Sequence, residues 1–117
     1  MEIIYELHGN TLIAELYGEL DHHASEKIRN DIDEMMRIYD AKHLIFDFGR
    51  VNFMDSAGIG IILGRYRKLE PQGGQVLIAG CSQKIHTILH MAGVFSVTVY
   101  MDSSEDAIAF LERKEVS

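Results

Sequence analysis

VNFMDSAGIGIILGRYRKL, residues 51–69, combines a short apolar run, a polar turn and a long segment with helical periodicity. Asp55 and Ser56 form the polar turn, and after them large apolar residues recur at helical spacing: Ile59, Ile62, Leu63, Tyr66 and Leu69. Asp and Ser cap helix N-termini, because their side-chain oxygens accept hydrogen bonds from N–H groups that have no partner within the helix. These residues therefore predict a strand, a capped turn and a helix.

Three glycines interrupt the predicted helix: Gly58, Gly60 and Gly64. Each glycine in a helix costs about 1 kcal/mol relative to alanine, so stability alone does not explain them. Glycines remove side chains from a helix face, so that the backbone of a partner or a ligand can approach the first turns and Ser56. Close packing against a sheet would also require small residues. The glycines therefore leave two interpretations open, a docking surface and tight packing.

Strand and helix patterns alternate through the rest of the chain. Residues 3–7 and 12–16 alternate around the turn residues 8–11 and predict an antiparallel hairpin with one covered face. We expect Gly18–His23 to end the second strand and to lead into a helix. Leu44–Phe48 is a nearly continuous apolar run, which is typical of a central strand buried on both faces. Later segments predict two more strands, around residues 75–79 and 97–100, and helices from Ser82 and Ser103.

The predicted element order is β-β-α-β-α-β-α-β-α. This order implies an α/β fold with right-handed crossovers, in which four helices cover a mixed, mostly parallel sheet of about five strands with an N-terminal β-hairpin. Residues 1–117 fit a single domain. Functional loops in such sheets follow the carboxyl ends of strands, so we expect the Gly18–His23 loop and the Met54–Gly58 turn to lie side by side.

Composition excludes several classes of function. The 18 acidic and 11 basic residues give a net charge of −7, which argues against nucleic-acid binding. Arg65, Arg67 and Lys68 are expected to form solvated final turns of the glycine-bearing helix. The single cysteine, Cys81, and an N-terminus without signal-peptide character predict a cytoplasmic protein. No apolar run approaches the roughly 20 residues that span a bilayer, so no direct membrane insertion is expected.

The enzymatic motifs in the chain are incomplete. Ser56 occupies a strand-to-helix turn, where serine hydrolases place a nucleophile, but the glycine two residues before it is missing. His86 and His90 lie one helical turn apart without a third evident ligand, so no metal site is predicted. The chain lacks a Walker loop, and the glycines after Ser56 do not fit a dinucleotide fingerprint. We therefore predict no catalytic residue, no metal and no cofactor.

Two motifs resemble those of the anti-sigma factor antagonists of the STAS superfamily. They are FMDSAGIG at residues 53–60 and GELDHH at residues 18–23, with Gly73-Gly74 downstream. The likeness covers nearly all of the chain and implies the STAS fold. Ala57 departs from the pattern, because many relatives have a second serine there.

The resemblance implies a phosphorylation switch rather than catalysis. In that family the unphosphorylated antagonist binds an anti-sigma factor, which is also an ATP-dependent serine kinase, and so releases a sporulation sigma factor of the sigma-F type. The kinase then phosphorylates the serine that matches Ser56, and a membrane-associated serine phosphatase reverses the modification. The partner-binding residues implied here are Asp21, His22, Asp55, Ser56, Ala57, Gly58, Ile59 and Gly60.

The resemblance also places Asp21 beside Ser56. From the residues themselves we expect N–H groups at the helix start to tolerate a phosphate on Ser56. Two alternatives stay open: a STAS regulatory or scaffold module of another stress or nucleotide-sensing pathway, and a small serine hydrolase.

Overall fold

The computed structural model describes residues 1–116 and has the predicted order of strands and helices. The elements are β1 (Glu2–His8), β2 (Thr11–Leu20), α1 (Ser25–Ile38), β3 (His43–Met54), α2 (Ser56–Leu69), β4 (Val76–Cys81), α3 (Gln83–Met91), β5 (Val99–Met101) and α4 (Ser104–Val116). Short 3-10 turns follow α2 and α3, at Glu70–Gln72 and Val94–Ser96. No helix within residues 1–116 is both long and apolar enough to cross a membrane.

The five strands form one sheet in the order β1-β2-β3-β4-β5. The hairpin β1-β2 is antiparallel and every other pair is parallel, which confirms the predicted mixed sheet with β3 at its centre. The expected break at Gly18 is wrong, because β2 continues to Leu20. β3 is long enough to pair with this extension, and Gly18 adopts a φ of 110° where the register shifts.

Helices cover both faces of the sheet. A large core lies beneath α1, α2 and α3, and a smaller one lies beneath α4. The predicted single covered face of the hairpin is therefore wrong for β2. Ile13 is buried in the smaller core while its neighbours Leu12 and Ala14 are buried in the larger one.

Arg65 lies between α1 and α2, which corrects the prediction of a solvated side chain. Only 9% of the Arg65 side chain is exposed, and its Nε lies 3.0 Å from Oδ1 of Asp33 on α1. Arg67 and Lys68 are exposed as predicted. Arg65 follows the buried residues Ile61 and Ile62 by one helical turn, so it lies on the inner side of α2.

The glycines of α2 divide between the two interpretations. A Cβ atom at Gly58 would lie 2.7 Å from Cγ of Met54 and 2.9 Å from the carbonyl oxygen of Leu20, so Gly58 allows α2 to pack closely on the sheet. A Cβ atom at Gly60 or Gly64 would have nothing within 4 Å. Only these two positions leave an open surface.

We expect Gly58→Ala and Gly64→Ala to have opposite effects on stability. Overpacking at Gly58 costs about 1–3 kcal/mol and exceeds the gain in helix propensity, so this variant should lose about 1–2 kcal/mol. Gly64→Ala should gain about 0.5–1 kcal/mol, because its new methyl group meets no atom. Urea unfolding of both variants measures the difference. Similar gains in both would contradict the packing role of Gly58.

Candidate functional site

The two predicted loops lie side by side at the carboxyl end of the sheet. β2 and β3 remain paired to their last residues, Leu20 and Met54. The N–H of Asp55 donates to the carbonyl of Leu20 at 3.4 Å, so Asp21 and Asp55 leave the sheet next to each other. This juxtaposition confirms the prediction made from strand order.

Asp55 joins the two loops and caps α2. Its Oδ1 accepts a hydrogen bond from the N–H of Ala57 at 2.9 Å. Its Oδ2 accepts from the N–H of His22 at 3.1 Å and lies 3.3 Å from the Nδ1 atom of the same residue. The sequence predicted the cap but missed the link to His22, because nothing local relates residues 33 positions apart.

The environment of Asp55 favours its ionised form. Burial alone would raise the pKa of Asp55, but hydrogen bonds from Ala57, His22 and Gly58 outweigh burial and hold the pKa below its ordinary value. A carboxylate is therefore held beside Ser56 at neutral pH.

The low pKa of Asp55 predicts a dependence of stability on pH. Ionised Asp55 stabilises the folded state above its ordinary pKa of about 3.9, and this contribution disappears as the pH falls through the lower folded pKa. Asparagine still caps a helix, so Asp55→Asn removes mainly the charge. We expect the variant to be less stable than the wild type at about pH 7 and equally stable at about pH 2 in urea unfolding. The same deficit at both pH values would contradict this role of the carboxylate.

Asp21 stabilises its own loop. Its Oδ1 accepts hydrogen bonds from the N–H groups of His23 at 3.0 Å and Ala24 at 3.1 Å, which orders the turn that leads into α1. That Asp21 takes part in partner contact or in the phosphorylation step beside Ser56, as the resemblance implies, stays a prediction.

Ser56 is the first residue of α2 and is exposed. Gly60 follows it by one turn on the same face and is also exposed, whereas Ala57 and Ile59 are half-buried. Gly58 is buried, so within the predicted partner-binding set it contributes packing rather than an open contact surface. Ser56 and Gly60 thus form the accessible part of the first turns.

Three N–H groups at the start of α2 already have acceptors. The N–H of Ala57 donates to the side chain of Asp55, and those of Gly58 and Ile59 donate to its main-chain carbonyl at 3.1 and 3.3 Å. A phosphate on Ser56 would therefore lie beside N–H groups that already donate to the carboxylate or the main-chain carbonyl of Asp55. The expectation that these N–H groups tolerate a phosphate on Ser56 stays a prediction.

Phe53 lies next to the site, although the sequence analysis named it only within the motif FMDSAGIG. It lies near the end of β3, opposite Glu19 on β2, and 40% of the residue is exposed. An aromatic residue so close to a polar turn is a recognisable signal for a contact surface.

The other candidate sites lack the required chemistry. The ring of His86 packs against two aromatic rings, with its centroid 4.8 Å from that of Phe95 and 5.0 Å from that of Tyr100. Within residues 1–116 no group of three or more His, Cys, Asp or Glu residues is arranged to hold a metal ion. Burial raises the pKa of the Cys81 thiol, and a hydrogen bond with Tyr100 opposes it only in part. Cys81 is therefore not an activated thiol.

Comparison with known proteins extends over almost the whole chain. The STAS domain family model matches residues 2–107. An anti-sigma F factor antagonist from Paenibacillus polymyxa is 35% identical over 112 residues, which are 96% of each chain. The structure of the anti-sigma factor antagonist SpoIIAA in its unphosphorylated form has a TM-score of 0.74 at 32% identity and covers 96% of this chain and 98% of that chain. The structure of the Bacillus cell fate determinant SpoIIAA in the phosphorylated form has a TM-score of 0.73 at 32% identity, with coverages of 94% and 99%.

Fold and site together define a STAS domain, and the chain belongs to that family. The likeness to the Paenibacillus protein and to both SpoIIAA structures is more specific. Within the family the chain is an anti-sigma F factor antagonist of the SpoIIAA type, a class without enzymatic activity. The hydrolase interpretation is thereby set aside.

Proposed function

We propose that the unphosphorylated chain binds an anti-sigma factor that is also a serine kinase, and that phosphorylation of Ser56 ends this binding. An anti-sigma factor antagonist acts by binding an anti-sigma factor, and here binding would release a sporulation sigma factor of the sigma-F type. The existence of unphosphorylated and phosphorylated forms of the similar protein SpoIIAA supports a switch of this kind.

The observation that carries the proposal is the exposure of Ser56 at the start of α2. A kinase can reach this hydroxyl without unfolding the helix. Gly60 extends the same surface without a side chain, so a partner backbone can lie close to it. Ala57 and Ile59 border this surface on α2, while Asp21, His22 and Asp55 border it from the adjacent loop and cap.

The reverse reaction requires a second enzyme. Anti-sigma factor antagonists of this class have no enzymatic activity, so the chain is not expected to remove the phosphate itself. A serine phosphatase acting on exposed phospho-Ser56 would restore the binding form. The proposed switch takes place in the cytoplasm and requires no cofactor on the antagonist.

Incubation with the candidate anti-sigma kinase and ATP tests the assignment. We expect mass spectrometry to find one phosphate, located on Ser56, and none on the exposed serines Ser82 and Ser96. Ser56→Ala should remain unmodified and should stay bound to the kinase in the presence of ATP. Modification of another residue, or release of Ser56→Ala by ATP, would contradict the proposal.

A further inference from the structure

β1 is an outer strand of the sheet, and one of its edges has no strand partner within residues 1–116. All seven of its residues pair with β2 in one continuous register. A two-residue turn connects the two strands, so His8 and Thr11 form a hydrogen-bonded pair. Main-chain N–H and C=O groups alternate between the two edges of a strand, so those of Ile3, Tyr5 and Leu7 point away from β2. A row of donors and acceptors is therefore open at this edge.

β1 lacks the features that usually protect an exposed edge. Natural sheets shield such edges with lysine, proline, a bulge or a very short strand. β1 has seven residues, EIIYELH, with neither lysine nor proline, and its register with β2 contains no bulge. The strand at the other edge of the sheet, β5, has only three residues. Ile4 is 51% exposed and Leu7 is 43% exposed, so the open edge is also apolar.

The sequence of β1 is self-complementary in one antiparallel register. When two copies of the strand are related by a two-fold axis at Tyr5, all seven residues have a partner. The opposed pairs are Tyr5 with Tyr5, Glu2 with His8, Ile3 with Leu7 and Ile4 with Glu6. No carboxylate lies opposite another carboxylate, and an aromatic pair and two aliphatic pairs lie at the centre of the contact.

Other ways of pairing two copies of β1 place like charges opposite each other. Parallel pairing in register sets Glu2 against Glu2 and Glu6 against Glu6. Moving the antiparallel two-fold axis by one residue, to Ile4, sets Glu2 against Glu6. Like charges directly opposite destabilise a strand pair, so the charges of β1 favour the register about Tyr5.

Tyr5 is already held in position for this contact. Its hydroxyl donates a hydrogen bond to Oδ2 of Asp31 on α1 at 2.6 Å, and its side chain packs against the larger core. A side chain that is fixed before association loses little conformational entropy when it becomes part of an interface.

We propose that β1 pairs with β1 of a second copy of this chain, antiparallel about Tyr5, and so joins two five-stranded sheets into one. The contact satisfies the outward N–H and C=O groups of β1 and covers the exposed side chain of Leu7 with Ile3 of the second copy. Ser56 follows β3, which β2 separates from β1. Both copies of Ser56 therefore stay exposed, and the dimer is independent of the proposed switch.

Sedimentation equilibrium of the full chain tests the proposal. We expect the measured mass to rise reversibly from one chain to two as the concentration increases to about 1 mM. Leu7→Pro removes one outward N–H group without removing a bond to β2, so this variant should stay monomeric. A wild type that remains monomeric, or a folded Leu7→Pro variant that still dimerises, would overturn the proposal.

Charge variants at the ends of β1 test the register. His8→Glu should weaken dimerisation about tenfold, because it places a carboxylate opposite Glu2 at both ends of the contact. His8→Gln also removes the ion pair with Glu112 but adds no charge, so it should dimerise as the wild type. Adding Glu2→Lys to His8→Glu should restore the dimer, since opposite charges then face each other.

These charge variants also decide the question if Leu7→Pro does not fold. Equal dimerisation of His8→Glu and His8→Gln would overturn the contact through β1. Failure of the double variant to recover would overturn the register about Tyr5.

Discussion

Phosphorylation of Ser56 is expected to lower the affinity for the anti-sigma factor more than about a hundredfold. The modification adds about −1.5 to −2 charges at pH 7 to an exposed hydroxyl. It does so beside the ionised carboxylate of Asp55, which already takes the hydrogen bonds of Ala57 and His22. A partner surface that accepts a neutral hydroxyl and the bare backbone of Gly60 would then have to desolvate a bulky dianion.

This effect should arise at the interface and not from unfolding. The hydroxyl of Ser56 makes no hydrogen bond within residues 1–116, and the cap of α2 is supplied by Asp55. Circular dichroism of the phosphorylated chain should therefore match that of the unmodified chain. A loss of helix on phosphorylation would contradict this explanation.

Matched variants separate position from charge. Ser56→Ala should bind the anti-sigma factor as the wild type, and Ser56→Asp should bind weakly in calorimetry. Ser96→Asp adds the same charge at an exposed serine outside the proposed surface and should bind normally. Equal affinities of Ser56→Asp and Ser96→Asp would show that net charge, not the site, controls binding.

Local sequence patterns were sufficient to predict the element order and the position of Ser56. Helical spacing after Ser56 and the apolar run of Leu44–Phe48 reflect burial that repeats along one element. The cap by Asp55 is equally local, because donor and acceptor lie two residues apart. The side-by-side loops followed from one topological rule for strand ends.

Features that depend on packing between elements were not predictable in this way. Gly58, Gly60 and Gly64 look alike in sequence, yet only Gly58 meets Leu20 and Met54, which come from other parts of the sheet. Arg65 lies in an exposed-looking basic run, and its burial depends on how α1 crosses α2. Its partner Asp33 is no different in sequence from its acidic neighbour Glu34.

Asp33→Asn should therefore be far more destabilising than Glu34→Gln, although both changes neutralise neighbouring carboxylates on α1. Removing one partner of a buried ion pair typically costs about 3–5 kcal/mol, and the 28% exposure of Asp33 reduces our expectation to about 2–3 kcal/mol. Glu34 pairs with Arg37 on the surface, with side chains 54% and 70% exposed, so solvent screens the pair and its loss should cost little. Urea unfolding measures both, and equal losses would contradict the burial argument.

A double-mutant cycle identifies the source of the loss. If Asp33→Asn acts by leaving Arg65 buried and unpaired, then adding Arg65→Met should remove most of that penalty. The free energy of unfolding of the double variant should then exceed, by about 1–3 kcal/mol, the value that the two single changes predict when summed. Additive effects would show that the ion pair contributes little.

The Asp33–Arg65 pair also affects the candidate site, because two contacts join α1 and α2. Asp55 and His22 join them near their starts, and Asp33 and Arg65 join them further along. Loosening the second contact leaves the first to position Ser56 alone, so antagonist binding should weaken in Asp33→Asn and remain unchanged in Glu34→Gln.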